Sequence, residues 1–205
     1  MKYILKLTII LLLIIFFSCK NNENDTRFCM NRISQNTILL SSTDYNTVKL
    51  LFETNELNYN NLRFYKYVDS DRQEVRCNQY INNLQIFTYD LTFHFSGNIY
   101  QNISGDLTDN IILDTKSTMN QDAVVEIYIK KLIDDESFII SKDEIINNCM
   151  DLEFGYYDLN VSISFSEKNF VKAWKVKPQS MDYPVAYIND SLTNIIYYDN
   201  GIRYK

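Results

Sequence analysis

The stretch Gln79–Phe95, QYINNLQIFTYDLTFHF, decides how this chain folds. Asn82-Asn83 divides it. Asparagine tolerates the left-handed backbone that a two-residue hairpin turn demands, so a tight turn is expected there. Beyond it, Leu84–Tyr89 and Leu91–Phe95 read as strands. In DLTFHF, Leu91, Phe93 and Phe95 alternate onto one face, which leaves Thr92 and the chain's single histidine, His94, on the other. The stretch therefore reads as sheet rather than as the wall of a catalytic site.

Outward from it, strands are expected at Leu62–Val68, Glu74–Tyr80 and Ile99–Ser104, with Asp69–Arg72 and Ser96–Asn98 at the turns. A helix is expected ahead of them over Asp44–Glu56. Ser42, Thr43 and Asp44 are its candidate N-caps, and Tyr45, Val48, Leu51 and Phe52 recur at helical spacing. The pattern then repeats. Ser117 to Asn120 cap a second expected helix over Asp122–Ile133, with Ala123, Val124, Ile127, Tyr128 and Leu132 on its apolar face. A short helix is expected at Lys142–Met150, with Ser141 and Glu144 as a capping box. Strands return at Tyr157–Phe165, where Leu159, Val161, Ile163 and Phe165 alternate, and at Phe170–Lys177, Val185–Asn189 and Asn194–Tyr198. This order predicts an α+β fold of two tandem small modules, residues 38–110 and 111–205, each a helix on an antiparallel sheet.

The first 18 residues are expected to be an export leader. Lys2 and Lys6 precede Leu7–Phe17, an apolar run too short for an ordinary membrane span, and Ser18-Cys19 closes it. Cysteine in that position resembles a lipobox, so Cys19 is expected to carry lipid, with residues 19–37 as a polar tether. Lys20, in place of the aspartate of inner-membrane retention, points to a bacterial envelope lipoprotein of the outer membrane, on its periplasmic face or the cell surface. Without Lys2 and Lys6, the remaining 18 basic residues face 26 acidic ones, a net charge of −8. Such a surface disfavours nucleic acid and leaves the lipid on Cys19 as the contact with the membrane. With 4 Gly and 2 Pro against 16 Tyr and 12 Phe, the composition favours ordered sheet.

Three cysteines remain, Cys29, Cys77 and Cys149. Export permits one disulfide, and Cys77 with Cys149 is the candidate pair; alternatively both are small buried hydrophobes. Their spacing fits no zinc site.

EVRCNQYINNLQIFTYDLTFHFSGNIYQNISGDL (Glu74–Leu107) resembles the propeptide module of fungalysin/thermolysin-type precursors. Leu91, Phe93, His94, Gly97, Ile99, Ile103 and Gly105 fall on its strand-pair pattern, and Arg76, Gln79, Asn82 and Gln85 on its earlier positions. Asn83 stands where that family usually has glycine. STMNQDAVVEIYIKKL (Ser117–Leu132) and FVKAWKVKPQSMDYPVAYINDSLTNIIYY (Phe170–Tyr198) resemble the opening helix and closing sheet of a PepSY module. Trp174, Tyr187, Ile188, Asn189, Asp190 and Thr193 carry the match, with Asn194 in place of the turn glycine and expected to take its positive φ. The resemblance implies cystatin-like and PepSY-like modules, and a sheet surface that docks on an exported metalloprotease.

The chemistry of such a protease is missing from the sequence. One histidine cannot make the HExxH zinc helix, and neither a phosphate-binding loop nor a GxSxG elbow occurs. The expectation is a non-catalytic interaction lipoprotein without cofactor or metal, which inhibits an exported metalloprotease or assists its folding. The alternative is an envelope binding or assembly lipoprotein with no protease link. Tyr183, Tyr197, Tyr198 and Tyr204 are the candidate interaction surface, because tyrosine brings apolar area with a polar tip. Only Asp199–Lys205 follows the closing sheet of the second module, a tail of about 25 Å at full extension.

Overall fold

The computed structural model describes residues 30–32, 40–137, 142–146, 149–162, 167–179 and 181–203. The chain is α+β, built on one mostly antiparallel sheet of nine strands among the described residues. Helix α1 (Ser42–Thr54) leads into β2 (Leu62–Val68), β3 (Arg72–Ile81), β4 (Leu84–Ser96) and β5 (Ile99–Ser104), which pair in sequence as an antiparallel meander. Helices α2 (Gln121–Asp134) and α3 (Lys142–Ile146) precede a second meander, β6 (Met150–Asp158), β7 (Phe170–Pro178), β8 (Val185–Asn189) and β9 (Ile195–Asp199). The meanders join where β4 runs parallel to β6 over two residue pairs, Gln85↔Gly155 and Ile86↔Tyr156. A three-residue strand, β1 (Met30–Arg32), also runs parallel to β6.

The hairpin forms where the asparagines require it, with φ of +53° at Asn82 and +66° at Asn83. Gly97 and Asn98 take the same conformation in the next turn. Past Asn82-Asn83 the chain makes one thirteen-residue strand, β4, instead of the two expected. Its parity switches midway. Asn78 pairs with Asp90 but Tyr80 with Gln85, and this slip lets Ile86, Tyr89, Leu91, Phe93 and Phe95 all reach the same core. Helix α1 is capped by Ser41, which accepts from the Asp44 N–H at 3.1 Å, one residue ahead of the expected caps. Asn120 caps α2 by accepting from the Ala123 N–H at 2.8 Å. Asn120→Ala is expected to lower stability by about 1 kcal/mol in a urea titration, the ordinary worth of such a cap.

Three further expectations are corrected. The strand placed at Tyr157–Phe165 is β6, at Met150–Asp158, and Leu159 and Val161 are exposed turn residues. Residues 163–166 and Ser141 lie outside the described residues. The short helix is described over Lys142–Ile146, and the expected helical end at Met150 is instead the start of β6, where the chain pairs with β7. Positive φ in the last turn falls on Thr193 (+55°), while the Asn189 side chain accepts from the Ser191 and Leu192 N–H groups, each at 2.9 Å.

Both long helices lie on one side of the sheet. Val48, Leu51 and Phe52 of α1 pack with Val75, Cys77, Leu91, Phe93 and Phe95, and the Phe52 ring centroid stands 4.7 Å from that of Phe93. Val124, Val125, Tyr128 and Leu132 of α2 pack on Leu152, Trp174, Val176 and Ile188. Phe154 touches both clusters, and Met150, Leu152, Phe154 and Tyr156 alternate along β6 toward that common side. The connection 105–120 follows the same side. Buried Gln79 donates to the Thr108 carbonyl and accepts its N–H at 3.0 Å, and Ile111 enters the first cluster.

Candidate functional site

With the helices on one side, the other side of the sheet carries the side chains of opposite parity. On β6 these are Asp151, Glu153, Gly155 and Tyr157. Around them, four rings from four strands meet. Phe87 and Tyr157 lie 5.5 and 5.1 Å from Tyr187, and Tyr197 lies 6.1 Å from it on the far side, all ring centroid to ring centroid. Phe87, Tyr157 and Tyr187 are half-buried, whereas Tyr197 is 47% exposed. Among the described residues, neither helix packs on this side. Gly155 makes the arrangement possible. A Cβ there would overlap the Gln85 carbonyl oxygen and stand 2.7 Å from the Phe87 ring, so Phe87 packs against a bare backbone.

Charged groups rim the aromatic row. The Lys175 ammonium stands 5.9 Å from the Phe87 ring centroid, and the Arg63 guanidinium lies 3.9 Å over Tyr80. Between them sits Glu153, 92% buried by its 8% exposure. Burial pushes its pKa up, and the fields of Lys175 and Arg63 offset only part of that. Burial also pushes Tyr80 up to about 12; its hydroxyl donates to Gln85 Oε1 at 3.0 Å. The row is thus an aromatic strip with one partly desolvated carboxylate and two cations beside it. Rings of this kind can supply contact area, and charges at their edge can supply orientation.

His94 belongs to a separate polar row. Its Nε2 is 3.0 Å from Ser104 Oγ, and its Nδ1 is 3.8 Å from Glu74 Oε1. A cleft of about 560 Å³ adjoins it, lined by Arg72, Glu74, His94, Phe95, Ser96, Gln101 and Asn102. The order acid, imidazole, hydroxyl is that of an acyl-transfer triad, but the acid stands beyond hydrogen-bond distance and the row is solvent-exposed. These are cross-strand neighbours on β3, β4 and β5. No cluster of three or more His, Cys, Asp or Glu side chains converges to hold a metal among the described residues.

The tyrosines singled out by sequence do not form one surface. Tyr197 lies in the aromatic row. Tyr198, its neighbour, points to the helix side, where Lys131 of α2 stands 4.9 Å from its ring centroid. Tyr183 is half-exposed beside Gly201, with the Arg203 guanidinium 5.5 Å from its ring centroid. Tyr204 and Cys19 lie outside the described residues. The sequence also offers Tyr156 and Tyr157 as binding aromatics, of which Tyr157 joins the row; Phe87 and Tyr187 are not among those singled out, and the signal for Phe87 is Gly155, whose missing side chain leaves room for its ring.

The proposed cysteine pair is not formed. Cys77 is a free thiol with no exposure, and burial pushes its pKa well above the usual range. Cys149 is disulfide-bonded to a residue other than Cys77. Trp174 and the residues just ahead of α2 converge on Asp190. This buried carboxylate accepts from Ser117 Oγ (2.6 Å), Thr118 N (2.8 Å), Met119 N and Trp174 Nε1 (both 3.1 Å), with Lys172 Nζ 3.7 Å away. It ties the approach to α2 onto the β8–β9 turn.

No protein-family model matches this chain, and a search of curated protein sequences finds no relative.

Proposed function

We propose that this chain is a non-catalytic interaction lipoprotein of the bacterial envelope, anchored through lipid on Cys19, that binds an exported protein partner on the helix-free side of its sheet. The observation that carries the reading is the row Phe87, Tyr157, Tyr187 and Tyr197, assembled from four strands on that side. Aromatic area of this kind is enriched at interface centres. The order helix then four-stranded meander, run twice, supports two tandem cystatin-like and PepSY-like modules fused through β4 and β6. Together with the resemblance to protease propeptides, it makes an exported metalloprotease the partner of choice, held inhibited or helped to fold.

A lipid-free form starting after Cys19 tests this against purified thermolysin-type peptidases and against envelope extract. The expected result is saturable binding of a metallopeptidase, with Tyr157→Ala and Tyr197→Ala together weakening Kd at least about 30-fold, as loss of about 2 kcal/mol of anchor contacts implies. Tyr45→Ala, on the helix side, leaves Kd unchanged. Binding of a non-peptidase envelope component through the same residues would keep the surface and remove the protease link. Binding unaffected by the row would remove both.

A further inference from the structure

We propose that the helix-free side of the sheet receives a basic side chain of its partner, with Glu153 as the counter-ion. The inference rests on that side being the binding surface, and it names what the surface selects. Three carboxylates are buried among the described residues, Glu153, Asp158 and Asp190. Asp190 accepts from Ser117, Thr118, Met119 and Trp174, and Asp158 from Tyr89, Asn160 and Asn169. Glu153 is the exception. No hydrogen bond or ion pair reaches its carboxylate among the described residues, although its exposure is 8%. A desolvated carboxylate without a donor is costly, and one on a binding surface marks where a donor of the partner belongs.

The nearby cations are turned to rings instead. Lys175, the cross-strand neighbour of Glu153, has its ammonium 5.9 Å from the Phe87 centroid, and the Arg63 guanidinium lies 3.9 Å over Tyr80. Burial raises the Glu153 pKa by more than the fields of those two cations lower it. The registers Glu153↔Lys175 and Lys175↔Tyr187 set Glu153 and Tyr187 on one line across β6, β7 and β8, about 10 Å apart. Tyr187 is flanked by Phe87 and Tyr157, at 5.5 and 5.1 Å. A cationic head at Glu153 therefore has ring faces within reach of its methylene stem, where cation–π attraction adds to the ion pair. With 26 acidic against 20 basic residues, the chain as a whole also draws a basic segment toward it.

The test uses end-blocked pentapeptides of alanine and leucine, each with arginine, lysine, glutamine or glutamate at its centre and an uncharged dye. They are titrated against the full-length chain by fluorescence anisotropy. The arginine and lysine peptides are expected to bind at least about 10-fold tighter than the other two, as one partly desolvated ion pair implies. Glu153→Gln is expected to bring all four within about 2-fold of one another and to raise Tm of the free chain by about 2–4 °C, because an unpaired buried charge is gone. Lys175→Met, which removes the competing ammonium, is expected to tighten the two basic peptides further. Equal affinity for all four peptides, or a basic preference that survives Glu153→Gln, would overturn the counter-ion. A Tm lowered by Glu153→Gln would do the same, since the fold itself would then be holding the carboxylate. No binding by any peptide would also overturn it, while metallopeptidase binding at the row would stand as a separate result. A basic preference abolished by Glu153→Gln but indifferent to Tyr157→Ala would support the counter-ion and count against the aromatic row.

Discussion

Gly155→Ala is expected to lower stability by about 3 kcal/mol, the upper range for overpacking, because nothing nearby can move aside. The added methyl would overlap the Gln85 carbonyl oxygen, which is backbone. It would also press on Phe87, 2.7 and 2.9 Å away. Only two residue pairs join β4 to β6, so widening that junction separates the meanders along a line that no other strand pairing bridges among the described residues. Urea unfolding followed by both far-UV circular dichroism and tyrosine fluorescence reads the effect. We expect a lower midpoint and two transitions that no longer coincide. Because Phe87 rests on this glycine, partner binding should weaken with stability. Gly97→Ala is the control. Its Cβ meets nothing within 4 Å, and its φ of +56° costs only about 1–2 kcal/mol, without loss of coincidence.

Asp190→Ala is expected to cost about 3–5 kcal/mol, the range for removing one member of a buried charged network. The substitution strands the Thr118 N–H, leaves the Trp174 indole N–H and the Met119 N–H with Ser117 Oγ alone, and leaves Lys172 with Asp114 and the Lys116 carbonyl. At about 2–4 °C per kcal/mol for a chain of this size, Tm should fall by roughly 10 °C. The network also sets an acid limit. Burial pushes the Asp190 pKa up, but the hydrogen bonds from Ser117, Thr118 and Met119 outweigh it and hold the carboxyl below the usual range. Asp158 behaves alike: burial raises it, and Tyr89, Asn169 and Asn160 hold it below. A depressed folded pKa contributes stability above the unfolded value, and that stability is lost as pH falls through the folded one. Wild-type stability should therefore hold at neutral pH and decline below about pH 4. Asp190→Asn should flatten that decline while lowering stability at pH 7. An acid limit unchanged by the substitution would show that Asp190 is not its source.

Local rules were legible wherever a residue's own conformational preference decides. Asn82-Asn83 turned because two asparagines tolerate positive φ, and Asn120 capped because its side chain reaches the Ala123 N–H. Alternation in DLTFHF placed Leu91, Phe93 and Phe95 in the core and His94 outside it. The β6 strand escaped, because Glu153 and Gly155 interrupt its apolar character while Leu159 and Val161 imitate a strand just beyond it. Alternation reports the character of side chains and not their hydrogen-bond partners. In MDLEFGYYD the partners on β4 and β7 decided.

The candidate site was the least legible part. Tyr197 was found and Tyr198 beside it was misassigned, since adjacent strand residues face opposite sides and sequence does not say which side holds the helices. Phe87, Tyr157, Tyr187 and Tyr197 are far apart along the chain, and only the strand order β4-β6-β7-β8-β9 brings them into one row. The cysteines show the same division. Sequence offered Cys77 and Cys149 as a pair or as two small buried hydrophobes, and the fold leaves Cys77 a free, fully buried thiol. By itself the sequence determined the helices, the turns and most strands, because these rest on local dihedral preference and side-chain period. Only the tertiary structure decided which side of the sheet stayed free of helices and which rings met there. Those outcomes depend on non-local strand pairing, whose order and register short-range preference does not encode.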